Sequence, residues 1–305
     1  MSQRSFSGGA YKRFDDLVRG RKPDFHKRVR ILDFLAGING GGALPSAVDQ
    51  FFGAAGILLL EGYGLTETGL VVAVRKQWRP VPGTVGNLVN DTDCEIRDEH
   101  GTVLPPGEQG IVFLRGPQVM KGYYERPDLT SQVLSDDGWL NTGDIGMLTH
   151  SGELKITGRA KDTIVLRGGE NIEPLPIEQK LRESQLIDQA AVVGHDQKFL
   201  GALVVPNEEG LRAEIEAQSG PAPGTDKQAQ NLAELIALPE AVRVVEQQIA
   251  ELVSARNGFR GFEQICRFRL IADEFEIGKE LSAKQEVKRH VINEKYGDTI
   301  AEIFS

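Results

Sequence analysis

Residues 57–69 read Ile57-Leu-Leu-Leu-Glu-Gly-Tyr-Gly-Leu-Thr-Glu-Thr-Gly69. The apolar run 57–60 predicts a buried strand. It runs into a turn whose glycines let the backbone approach a ligand closely and whose successive amide N–H groups can cradle an anion. Thr66 adds a hydroxyl, and Glu67 a carboxylate of the kind that holds Mg2+ together with substrate phosphates. Tyr63 offers a flat face for a purine. Taken alone, a glycine-rich turn after a strand is structural more often than it is a ligand site; the full string is what points to a site.

Upstream, residues 37–45, GINGGGALP, form a second glycine loop, with Pro45 suited to the first turn of a helix. Val48, Phe51, Phe52 and Ala55 recur at helical spacing and predict a core-facing stripe. Residues 12–30 are basic and polar: a solvated helix and a turn at Pro23, or a surface for an anionic membrane. Downstream, short strands are expected at 71–74, 94–97, 110–116 and 154–159, separated by PVPG, LPPGE and DDG turns. After Arg159 the pattern changes to a strand and turn (TIVLRGG), a short helix (IEQKLRES), apolar strands AAVVGH and ALVVP, helices over 207–217 and 228–256, the strand CRFRLI and a helical tail from Lys288 to Phe304. That alternation predicts a small α+β domain beginning near residue 160.

The 305 residues suffice for two domains, and a net charge of −9 argues against general nucleic-acid binding. Cys94 and Cys266 lack metal-ligand or disulfide spacing and read as unpaired thiols in a reducing compartment. The five histidines are scattered and form no triad. With neither a signal-peptide core nor an apolar run of spanning length, a cytoplasmic location is expected, with peripheral membrane contact if the substrate is a lipid.

The string GYGLTETG resembles the signature of the adenylate-forming superfamily, and further matches follow in that superfamily's order. Asn39-Gly-Gly-Gly-Ala-Leu-Pro45 is similar to its adenine-binding loop, Trp139-Leu-Asn-Thr-Gly-Asp144 to its ribose-binding motif, Lys155-Ile-Thr-Gly-Arg159 with Lys161-Asp162 to its domain hinge, and Arg167-Gly-Gly-Glu-Asn-Ile-Glu-Pro174 to the loop that moves in for thioester formation. The resemblance implies a mixed α/β (α+β) fold. Residues 1–160 would be the C-terminal part of the large AMP-binding domain, with a β-rich subdomain, and 161–305 a small α+β lid. It implies nucleotide binding by Gly41, Gly42, Ala43, Tyr63, Gly64, Thr66, Asp144 and Arg159, with Tyr63 stacked on adenine and Asp144 accepting from the ribose hydroxyls. It further implies catalytic roles for Thr66 and Glu67, with Glu67 holding Mg2+, a hinge at Lys161 and a thiol-acceptor loop at Gly168, Gly169 and Glu170.

Residues 168–206 and the run from Cys266 to Asp298 are similar to bacterial and plastid-type long-chain fatty-acid ligases. The implied reaction is ATP-dependent formation of acyl-AMP from a long-chain fatty acid, followed by transfer to coenzyme A; the alternatives are transfer to acyl-carrier protein and a non-catalytic nucleotide-binding remnant. Three departures stand out. No Ser/Thr/Gly-rich phosphate loop occurs in residues 1–38, so the expectation is that a large N-terminal portion is missing. The segment between Arg30 and residue 40 is short for an acyl tunnel. An ungapped alignment sets Glu286 where relatives carry the adenylation lysine, so Lys284 (or Lys288) would have to take that role through a shift of the loop.

Overall fold

A computed structural model describes residues 36–40, 42, 44–219 and 231–305. The basic stretch 12–30, the adenine-loop candidates Gly41 and Ala43, and most of the turn-rich segment before residue 231 lie outside the described residues. The chain forms two compact units that part between Ile156 and Thr157.

The first unit opens with β1 (Ala36–Asn39), α1 (Ser46–Ala54) and β2 (Leu58–Tyr63), with β1 parallel to β2. A 3-10 turn at Thr66–Thr68 leads to β3 (Ala73–Val74), β4 (Gly86–Leu88), β5 (Asp93–Arg97), β6 (Gly110–Arg115), α2 (Pro127–Val133), β7 (Leu140–Leu148) and β8 (Glu153–Arg159). These strands make one sheet in the order β1-β2-β3-β4-β8-β7-β6-β5. Its core gathers Val72, Ala73, Val85, Ile96, Val112, Leu114 and Leu154.

Two expectations fail here. The apolar stripe of α1 is not core: none of its residues is buried, and Val48 is 38% exposed. Periodicity specifies a face that seeks cover; it does not supply the cover. The buried residue of β2 is not one of its leucines but Glu61, at 6% exposure. Arg75 explains this, donating to Glu61 Oε2 and to Asp49 Oδ1, both at 2.8 Å, and through Nε to the Thr84 carbonyl. A buried carboxylate needs such pairing. Burial pushes the Glu61 carboxyl up, opposed by the N–H of Leu44 and the charge of Arg75.

The second unit contains the 3-10 turn Ala160–Asp162, the hairpin β9 (Ile164–Val165) and β10 (Asn171–Ile172), then α3 (Pro174–Leu181), β11 (Ile187–Val193), β12 (Leu200–Pro206), α4 (Glu208–Ser219), α5 (Leu232–Ile236), α6 (Pro239–Leu252), β13 (Ile265–Leu270), α7 (Arg289–Lys295) and α8 (Gly297–Phe304). β12 is central, antiparallel to β11 and parallel to β13. Every residue of β12 is buried. Leu200, Ala202 and Val204 face α3, α4 and α6, whereas Leu203 and Val205 pack against Phe275, Leu281, Ile292 and Ile303. Cover on both faces is why its sequence runs apolar without alternation. The single helix expected over 228–256 is two: Leu238 is extended (ψ 135) and Pro239 opens α6. A residue before proline is driven out of the helical region, and proline itself suits a helix start.

Candidate nucleotide and lid sites

In the first unit, the turn after β2 depends on glycine. A β-carbon at Gly64 would lie 1.3 Å from the Leu70 carbonyl oxygen, a backbone atom that cannot swing aside. Gly69 (φ +64) closes the 3-10 turn in the left-handed region that glycine adopts freely. Thr68, fully buried, ties the turn together by accepting from Leu65 N and donating to Leu65 O. Thr66 is left exposed and Glu67 half-buried.

Three of the motifs come together around this turn. The Tyr63 hydroxyl donates to Asp144 Oδ2 at 2.5 Å, although the two residues are 81 positions apart. Asp144 itself is 3% exposed, on β7. Its approach is shaped by Thr142, which donates to Val112 O and accepts from Asp144 N. The glycine loop lies beside the end of β2: Leu44 N donates to Glu61 Oε1 at 3.2 Å, and a β-carbon at Gly40 would meet the Gly62 carbonyl at 3.6 Å. Gly42 is exposed on that loop.

Sequence reasoning overlooked two residues. Arg75 was not singled out, though with Glu61 and Asp49 it links α1, β2 and the strand after the turn. The charged Glu61 inside an apolar run was its one visible trace. Tyr123 donates to Glu67 Oε1 at 2.9 Å, and Met120 N donates to the Glu67 carbonyl at 2.7 Å, so the segment after β6 steadies the carboxylate. That bond pushes the Tyr123 phenol up.

Among the described residues, no group of three or more His, Cys, Asp or Glu side chains could hold a metal ion. One partly exposed carboxylate suits Mg2+ that arrives on substrate phosphates and is shared between them and a single acid. Glu67 fits that demand, its Oε1 oriented by Tyr123.

In the second unit, Arg159 ends β8 and Lys161 sits in the following 3-10 turn, both exposed. Gly168, Gly169 and Glu170 form the turn of the β9–β10 hairpin, closed by Gly169 N on Leu166 O and by Leu166 N on Glu170 O. Arg167 anchors that hairpin through Nε to the Asp196 carbonyl. The tail folds into a tight loop bridged at Leu281–Val287. Ser282 Oγ accepts from Lys284 N and Glu286 N, and Gln285 takes φ 60. Lys284 stands exposed at the tip, Glu286 is half-buried, and Lys288 is tied through Nζ to the Gly278 carbonyl. The loop itself is held by Glu280, which accepts from Glu276 N and from Lys295 Nζ, both at 2.9 Å.

This architecture is that of adenylate-forming enzymes. The chain resembles the adenylation domain of a carboxylate reductase from Mycobacterium chelonae with a TM-score of 0.70 at 22% identity, covering 99% of this chain and 43% of that one. An ATP-bound chimera, RpMatB-BxBclM B1, matches with a TM-score of 0.63 at 26% identity, over 86% of this chain and 46% of the other. Residues 6–124 match the AMP-binding enzyme family, and residues 161–220 match the AMP-binding enzyme C-terminal domain. The chain belongs to the AMP-binding enzyme family. It is 50% identical over 185 residues to a chloroplastic long-chain-fatty-acid–[acyl-carrier-protein] ligase of Arabidopsis thaliana. It is 32% identical over 271 residues to a long-chain-fatty-acid–CoA ligase of Mycobacterium bovis. The matched regions are 57% and 88% of this chain, but only 25% and 42% of those two relatives. No helix among the described residues is long and apolar enough to cross a membrane.

Proposed function

We propose that this chain forms the nucleotide-side wall and the lid of a ligase that activates a long-chain fatty acid through acyl-AMP and passes the acyl group to a thiol. The observation that carries the reading is the Tyr63–Asp144 hydrogen bond, which draws the 63–69 turn and the TGD strand to one place beside the glycine loop. Three separated motifs meeting near the end of β2 support a site for a nucleotide's base, sugar and phosphate.

In the first step, a carboxylate oxygen attacks the α-phosphorus of ATP and the bond to pyrophosphate breaks, giving acyl-AMP. In the second, a thiol sulfur attacks the acyl carbon, AMP leaves with the bonding electron pair, and the thiol proton is released. No residue need become covalently attached; the work is positioning and charge stabilisation. Gly41, Gly42 and Ala43 line the base and Tyr63 stacks on it. Asp144 accepts from the ribose hydroxyls and Arg159 donates to ribose or phosphate. Gly64 lets the backbone close in, and Thr66 donates to phosphate. Glu67 holds Mg2+, which when bound neutralises phosphate charge. On the lid, Lys284, rather than the position of Glu286, brings the ammonium toward the developing negative charge. Lys161 is the hinge residue, and Gly168, Gly169 and Glu170 shape the path of the thiol.

Coenzyme A is one acceptor. The 50% identity to an acyl-carrier-protein ligase favours the second reading, transfer to a carrier-protein thiol. Calorimetric titration of the 305-residue chain with AMP and with a non-hydrolysable acyl-AMP mimic tests the binding claim. Saturable binding lost in Asp144→Ala is the expected result; absence of binding would refute it. AMP release measured with each thiol in turn, on the protein extended to the length of its relatives, separates the two acceptors.

A further inference from the structure

The loop between β3 and β4 is pinned at its base and bare at its tip. At the base, Arg75 is 3% exposed and Thr84 4%. Arg75 Nε donates to the Thr84 carbonyl at 2.6 Å, and its two Nη atoms are engaged by Glu61 and Asp49. The Thr84 hydroxyl donates to the Val81 carbonyl at 2.8 Å, and Arg79 N closes the tip on the Lys76 carbonyl at 3.1 Å. Trp78 stands on that tip, 81% exposed, between the exposed cations Lys76 and Arg79. Among the described residues no carboxylate forms an ion pair with either cation. Glu153 feels the charge of Arg79, but its carboxylate accepts from Thr149 and Ser151 instead. Because β3 runs antiparallel to β2, with Ala73 opposite Tyr63 and Val74 opposite Gly62, the chain travels away from the nucleotide turn before it reaches Trp78.

We infer that the Lys76–Arg79 tip docks the protein onto an anionic lipid surface, with Trp78 entering the headgroup region and the two cations meeting lipid phosphates. The inference goes beyond the ligase reading and involves no nucleotide. Tryptophan joins an apolar body to a single N–H donor and settles at the boundary between membrane and water. On a slack loop the ring would fold back onto its own unit; the buried Arg75 at the base holds it outward. Lasting peripheral attachment takes two signals, such as an inserted apolar group beside a basic patch, and the tip carries both. The net charge of −9 does not oppose this. Only charges within a Debye length of the surface are felt, about 8 Å at physiological salt, and the residues flanking Trp78 are positive. A stable protein partner needs about 800 Å² on each side, more than a four-residue tip offers, whereas a lipid surface sets no such minimum.

Trp139 is 5% exposed, so the red edge of the emission and its quenching by acrylamide report Trp78. Equimolar phosphatidylglycerol–phosphatidylcholine vesicles should shift that emission to the blue and shield it from acrylamide, and pure phosphatidylcholine vesicles should bind far more weakly. Lys76→Gln combined with Arg79→Gln should weaken co-sedimentation with the anionic vesicles roughly thirtyfold, about fivefold for each cation. Trp78→Ala should weaken it roughly tenfold. The same charge removed from the second unit, by Lys198→Gln with Arg256→Gln, should leave binding unchanged. Absence of binding, equal binding to both vesicles, binding with Trp78 emission unmoved, or an equal loss in the control pair would overturn the inference. So would a blue shift that grows with protein concentration without vesicles, since a second copy would then cover the tip. Acrylamide protection without lipid in the protein extended to the length of its relatives would overturn it too, since upstream chain would cover Trp78. Failure of the nucleotide titration would count against the ligase reading alone, whereas failure here would leave that reading standing.

Discussion

Replacing Arg289 with Met probes the buried ion pair that ties the lid's tail to its core. Arg289 Nη2 donates to Glu178 Oε1 and Nη1 to the Val192 carbonyl, each at 2.6 Å, while Val192 N donates to the same Glu178 oxygen at 2.9 Å. Glu178 is 6% exposed at its side chain and Arg289 17%. Removing the guanidinium leaves a carboxylate in the core with a single backbone donor, and breaking such a pair costs about 3–5 kcal/mol. At about 2–4 °C per kcal/mol for a unit of this size, the lid should melt roughly 6–20 °C earlier. Burial pushes the Glu178 carboxyl up, and Arg289 opposes this. Without Arg289 only the Val192 N–H opposes the upward push. A carboxyl raised in the folded state is harmless below its unfolded value and costs stability as pH rises through the folded value. The deficit of Arg289→Met should therefore be larger at pH 8 than at pH 5. Glu178→Leu combined with Arg289→Met removes both charges and should be more stable than either single variant. Both tryptophans, Trp78 and Trp139, lie in the first unit, so their fluorescence serves as an internal control while circular dichroism and amide exchange in β11–β12 follow the lid. A loss below about 1 kcal/mol, or a double variant as unstable as the two singles summed, would refute the reasoning.

Gly64→Ala forces a methyl group against the Leu70 carbonyl, so the 63–70 turn must reopen and AMP affinity in calorimetry should fall by roughly tenfold or more; retained affinity would contradict the assignment of that turn. Burial pushes the Cys94 thiol up to about 12, with Glu95 adding to the shift, whereas Cys266 is exposed. Because the thiolate is the reacting species, iodoacetamide at pH 8 should label Cys266 and spare Cys94 in the folded chain, as read by peptide mass spectrometry. Hydrogen bonds from Glu276 N and Lys295 hold the Glu280 carboxyl down at about 2, so the stability it contributes is present above the ordinary carboxylate range and lost as pH falls toward 2. Lys295→Met should flatten that acid limb in urea titrations between neutral pH and pH 3; an unaltered slope would show that the pair does not hold the loop carrying Lys284.

Local chemistry was legible where the sequence carries a steric or periodic demand that no neighbour can alter. Gly64 and Gly69 had to be glycine for the turn to form, and the unbroken apolar run of β12 announced a strand covered on both faces. The division of 228–256 was legible too, since Pro239 cannot sit inside a helix, but the helical period on either side masked it. What stayed hidden depends on partners distant in sequence. The stripe of α1 reads as core whether or not anything packs on it, and Glu61 reads as a flaw in a strand until Arg75 is seen to meet it 14 residues on. In the tail of the second unit, alignment and loop geometry point to different residues. Sequence register sets Glu286 in the lysine position, but Ser282 Oγ accepts from the amides of residues 284 and 286 and Gln285 turns through φ 60, which lifts Lys284 to the tip and leaves Glu286 half-buried beneath it. In a two-residue shift of this kind the loop's hydrogen bonds, more than its residue count, decide which side chain reaches outward. On the proposed reading, Lys284 rather than Glu286 is the residue to substitute when adenylation is assayed.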